Sequence, residues 1–194
     1  MFSHIHPDNY EKQLSKKQHD MTELFSCFAM PEAEIFPSET LNYRLRAEFR
    51  VWHQGDDLYY IMFNSATKEK FRADDFPVAS TLINQSMKAL LVAIKDLPEL
   101  RYKLFQVDFL STLSGELLIS LLYHKPLEPS WEHAAKALKV ELSTIAPVDI
   151  IGRAKKQKVI VDKDYVMESL QVGNKRFVYQ QVENSFTQPN GGVN

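Results

Sequence analysis

Arg44, Arg46, Glu48 and Arg50 fall at two-residue intervals in the stretch RLRAEFR. On an extended strand that spacing sets neighbouring side chains roughly 6.5–7 Å apart on one face. Guanidinium groups at such a pitch can follow successive phosphates. A carboxylate among them can accept from a base edge or orient an arginine. An ordinary solvated sheet face carries the same pattern, so periodicity leaves both readings open. Phe105 lies two residues past Lys103, in a stretch that also holds Arg101. Turned outward, its ring offers a base a surface worth about 1–3 kcal/mol. Turned inward it is a core residue, the commoner fate of a phenylalanine at a strand start. His124-Lys125 follows the apolar run LLISLLY and could meet a phosphate or simply be solvated.

Other chemistry finds little support. No GxGxxG, GxxxxGK[ST], GxSxG or HExxH occurs, and the chain has only six glycines. Cys27, near Phe25 and Phe28 in an apolar stripe, reads as a small buried hydrophobe and an inert thiol rather than a nucleophile. His4, His6, His19, His53, His124 and His133 are scattered singly, so no metal site is expected.

The elements that must position these residues follow from patterning. Asn9 to about Phe28 reads as an amphipathic helix with Asp8 as its cap. Leu41 to His53 alternates as a half-buried strand, and Gln54-Gly55-Asp56-Asp57 turns it into a second strand, Leu58 to Phe63. Pro77 opens a helix over 78–94, with Leu82, Ile83, Leu90, Leu91 and Ile94 facing inward. Leu104 to Leu113 and Glu116 to Tyr123 form a second hairpin around Ser114-Gly115. Ser130 caps a helix from Trp131 to about Leu142. Val148 to Ile151, Val159 to Val161 and Arg176 to Val182 are short strands. The fold class is α+β, a largely antiparallel sheet built of hairpins with packed helices.

Composition permits this and narrows the function. The 194 residues are 44% hydrophobic and 25% charged, which suits a packed core. No apolar run is long enough to cross a bilayer, and the start lacks a secretory pattern. One cysteine excludes an internal disulfide, so a reduced, cytoplasmic setting is expected. Net charge is −2. Acidic residues gather in the first forty positions, while Arg44, Arg46 and Arg50, Lys95, Arg101 and Lys103, and Arg153, Lys155, Lys156 and Lys158 form basic clusters. One basic face is therefore available for nucleic acid.

Five segments in order, YRLRAEFRVWHQGDDLYYIMF, LRYKLFQVDFLSTLSGE, SLLYHKPL, IGRAKKQKVIVDKDY and YQQVENSFTQPN, resemble the bacterial tRNA (uracil-5-)-methyltransferases. The resemblance implies an RNA-binding α+β domain over 1–183, with 184–194 beginning the link to a class I S-adenosylmethionine-binding domain. It implies methylation at carbon 5 of the T-loop uridine, the base leaving its stack to reach a cysteine nucleophile. Glu48, Arg50, Arg44 and Arg46 look like T-arm contacts, Phe105 like a stacking ring, and His124 and Lys125 like backbone contacts. Phe186 resembles the active-site edge, and Gln188 a contact to the cofactor. The family's glycine-rich loop, DPPR-type segment, catalytic cysteine and glutamate match nothing in these residues, so no catalytic residue is assigned. The implied partner is the tRNA T arm, without metal or membrane, and a monomer is expected. Acting alone, the residues would be a non-catalytic tRNA-binding module or the remnant of a truncated gene. The segment from Asn184 onward is then expected to be mobile.

Overall fold

The alternation in RAEFRVWHQ becomes strand β1 (Arg46–Gln54) in the computed structural model, which describes residues 2, 5–64 and 66–194. Ala47, Phe49 and Val51 are buried on its inner side, while Glu48, Arg50 and Trp52 face outward. Gly55, at φ 59°, turns the chain into β2 (Asp57–Phe63), a left-handed conformation that costs glycine nothing. A short β3 (Lys70–Arg72) pairs with β2. β4 (Leu104–Ser111) and β5 (Leu117–Tyr123) form the second hairpin, and β4 pairs antiparallel with β1. β6 (Val148–Ala154) lies parallel to β5, and β7 (Gln157–Ile160) closes the edge. The order is β3-β2-β1-β4-β5-β6-β7, with β8 (Tyr165–Val172) and β9 (Lys175–Val182) as a separate hairpin. The fold is α+β on a largely antiparallel sheet, as the hairpin pattern indicates.

One sheet face is sealed by helices. α2 (Thr81–Ile94) supplies Ile83, Met87, Leu90 and Ile94, and α4 (Pro129–Leu142) supplies Trp131, Ala135 and Leu138. They join Phe49, Val107, Phe109, Ile119 and Leu121 in one core. A one-turn α3 (Pro98–Arg101) leads into β4. On the opposite face Leu110, Leu118 and Ile151 bury against Val166 of β8. The β8–β9 hairpin thus covers one end of the outer face, leaving the end around Arg50 open.

Several local expectations need correcting. Asp8 lies in a 3-10 turn (Pro7–Asn9) and does not cap α1 (Tyr10–Leu24), none of whose residues is buried. Met21, Leu24, Phe25 and Phe28 are exposed, and Cys27 is exposed with them, so it is no core residue. α2 starts at Thr81 because Ser80 Oγ accepts from Ile83 N, while Val78 O and Ser80 N bond with the Arg44 backbone in a bridge centred on Ala79. Leu82 and Leu91 are only partly buried, and Ser86 and Met87 complete the inner face. Pro129, not Trp131, is the first residue of α4, so Ser130 is no cap. His4 lies outside the described residues. Residues 184–194 contact earlier parts of the chain: Leu45 N donates to Pro189 O, and Asn190 Nδ2 to Ser38 Oγ.

Candidate nucleic-acid interface

The residue that decides this face is Phe105, and a bulge puts it there. Leu104 pairs with Tyr123 and Gln106 with Leu122, so Phe105 is an extra residue in β4. Leu104 and Val107 are both buried, three positions apart, and both residues between them therefore turn outward. The half-buried Phe105 ring stacks on His124, centroids 3.8 Å apart and planes 9° apart. Arg50 Cζ lies 5.3 Å from the same ring centroid, within cation–π range. His124 N donates to Lys103 O, fixing the strand end that carries the imidazole. Three side chains from β1, β4 and the end of β5 thus meet as one aromatic–cation group.

Beside it opens a cleft of about 880 Å³, lined by Phe105, His124, Lys125, Arg153, Lys155 and Lys156 among others. Lys125 Nζ donates to Glu99 O at 2.8 Å, and burial holds its pKa below the ordinary lysine value. Arg153 Nε donates to Glu183 Oε1 at 2.6 Å, and Lys158 also approaches Glu183. Burial favours the neutral Glu183 acid, but hydrogen bonding and charge from Arg153 outweigh it and hold the pKa low. Arg153 at the cleft is therefore ion-paired within the fold, and Lys158 is held chiefly by Asp164 at 2.8 Å.

The arginines of the row have different surroundings. Arg44 lies before β1; its Nε donates to Arg46 O, and it lines another concavity with Tyr10 and Phe36. Arg46 pairs with Glu48 at 3.1 Å and donates to Ser185 O at 2.8 Å. Arg50 alone projects onto the open end of the face, and it forms no ion pair among the described residues. Glu48 stands opposite Asp108, which accepts from Gln106 Nε2 at 2.7 Å. Burial pushes the Asp108 carboxyl up to about 6, the Gln106 bond opposing and Glu48 reinforcing the rise. A row of three evenly spaced free guanidiniums is not what forms; the bends before β1 and the Glu48 pairing remove two of them.

Phe186, 84% exposed, and Gln188 line a separate concavity with Tyr179, Gln181 and Gly191. They do not join the Phe105 cleft. Sequence reading passed over Trp52 and Tyr59, partners across β1 and β2, which carry Lys70 Nζ 3.3 Å and Arg72 Cζ 4.7 Å from their ring centroids. The signal was present: Trp52 follows Arg50 by two on the outward parity. Among the described residues no three His, Cys, Asp or Glu side chains converge as a metal site, and no helix is long and apolar enough to cross a membrane.

Fold and site together define an α+β domain with one helix-covered sheet face and one face bearing interleaved aromatic and cationic groups. The sequence model of the tRNA (Uracil-5-)-methyltransferases matches residues 9–194, and the chain belongs to that family. It is 77% identical over its whole length to a tRNA/tmRNA (uracil-C(5))-methyltransferase of Colwellia psychrerythraea, covering 53% of that protein. Proteins of the same description from Vibrio atlanticus and Shewanella sp. W3-18-1 are 56% and 57% identical over 97% and 96% of the chain, which covers 52% and 51% of them. The chain spans about half the length of these curated relatives.

Proposed function

We propose that this chain is the RNA-recognition portion of an S-adenosylmethionine-dependent tRNA (uracil-5-)-methyltransferase, and that its open sheet face binds the T arm that presents the T-loop uridine. One observation carries the reading: Arg50, Phe105 and His124 come from three separate elements to form a single stacked group at the mouth of a basic cleft. A lone exposed phenylalanine would be solvent-facing cost. A ring flanked by an imidazole and a guanidinium is a surface on which an unstacked base can lie while the cations meet its phosphates. In this reading Lys125, Glu48 and Arg46 support the same contact surface, and Arg44 braces the strand that bears it.

S-adenosylmethionine would supply the methyl group. Gln188, with Phe186 beside it, fits as one edge of its site. These 194 residues offer no cysteine at the cleft, since Cys27 sits in the exposed turn after α1. They are expected to bind T-arm RNA without methylating it, as a monomer.

Titration of a fluorescent T-arm stem-loop tests the reading. Salt-dependent binding that Phe105→Ala and Arg50→Ala weaken supports it. Binding indifferent to both substitutions, or no binding at low salt, overturns it.

A further inference from the structure

We infer that the β6–β7 turn is a second RNA-contacting site, in which Lys155 and Lys156 hold backbone phosphates a few nucleotides away from the base on Phe105. This rests on the T-arm reading and extends it across the sheet.

The cleft joins the two places. Phe105, His124, Lys155 and Lys156 all line it, so a nucleotide strand on the ring can continue to the turn. The cross-strand row Arg50, Gln106, Leu122, Arg153 spans three strand spacings. That is roughly 14–15 Å from β1 to β6.

The charge accounting along this path singles out the turn. Arg153 and Lys158 are committed to Glu183, and Lys125 to the Glu99 carbonyl. Lys155 and Lys156 are exposed and form no ion pair among the described residues. Committed cations cannot release counterions to a new phosphate as free ones do.

The backbone gives a second, independent reason. Ala154 pairs with Gln157, so the two lysines are the whole turn, and Lys155 sits at φ 48°. Glycine or asparagine would take that left-handed conformation more readily. Lys155 instead sets a long cationic side chain at the first position of the turn, beside the exposed Lys156.

The test is the full chain carrying Lys155→Gly and Lys156→Gln, titrated with the T-arm stem-loop at several salt concentrations beside Phe105→Ala. Glycine relieves the turn, so thermal stability is expected to hold or rise. Affinity is expected to fall roughly fivefold per lost phosphate contact near 0.15 M salt, with a shallower salt dependence. The Phe105→Ala chain should lose affinity while keeping the parent's salt slope. If the double variant binds within twofold of the parent at an unchanged slope while Phe105→Ala is impaired, the turn is not a contact site and the T-arm reading stands. If neither change matters, the T-arm reading itself fails.

Discussion

The Phe105 and His124 rings lie 3.8 Å apart and nearly parallel, although one residue sits within β4 and the other just past the end of β5. The bulge at Phe105 makes this relationship compatible with the core: counted back from the buried Val107 and Phe109, strict alternation would turn Phe105 inward, and the extra residue lets it face outward. Phe105→Ala removes the ring while keeping the bulge. Base stacking of about 1–3 kcal/mol corresponds to a loss of T-arm affinity between roughly fivefold and a hundredfold. Because Phe105 is only half-buried, thermal unfolding should move little. Equilibrium titration and a melting curve on one sample check both.

Asp108 makes stability fall as pH rises. Its folded pKa is raised from the ordinary 3.8 to about 6, so its contribution is complete below about pH 4 and is lost as pH climbs through 6. Asp108→Asn keeps the shape and can still meet Gln106. At pH 7 it should be more stable than the parent by up to about 3 kcal/mol, and at pH 4 nearly equal to it. Denaturant melts at the two pH values measure this.

Glu183 carries the opposite sign. Its folded pKa is held below the ordinary 4.5 by Arg153 and Lys158 despite its burial. Its contribution is present above about pH 4.5 and lost as pH falls further. Glu183→Ala should cost about 3 kcal/mol at neutral pH, because it leaves Arg153 partly buried and unpaired. It should also tighten nonspecific RNA binding at low salt, since Arg153 at the cleft loses its partner while Lys158 keeps Asp164. Melts and a titration with unrelated single-stranded RNA report the two effects separately.

Gly152 shows where the core tolerates nothing larger. A Cβ there would collide with the Trp131 ring and Leu127 Cδ1. Gly152→Ala should lower stability by about 1–3 kcal/mol through overpacking, with no direct effect on the outer face. A melting curve checks the first part, and retained T-arm affinity well below the transition checks the second.

Much of the fold was legible because alternation and turn residues are local. The β1–β2 and β4–β5 hairpins follow from Phe49 and Val51, from Gly55 and from Ser114-Gly115. β3 and β8 were missed because KFR is too short to show a period, and YVMESLQV buries Val166 and Glu168 against a sheet no local rule reveals. Helix α1 and the turn after it misled differently: the stripe of Met21, Leu24, Phe25 and Phe28 is amphipathic in sequence yet faces solvent. Of the site, the residue types were readable but their grouping was not. Arg44 and Arg46 share the spacing of Arg50, and the Arg44 bond to Arg46 O, the Arg46–Glu48 pair and the long-range Arg46 bond to Ser185 O set them apart. The outward turn of Phe105 depends on a bulge, which is a property of two strands together.

Fluorescence of a T-arm stem-loop carrying 2-aminopurine in its loop reads base stacking on the ring without relying on affinity. At saturating protein, stacking on Phe105 should quench the loop probe in the parent chain and leave it bright in the fully bound Phe105→Ala variant. Equal quenching in both proteins, with the variant shown to be saturated, would mean that no base lies on Phe105.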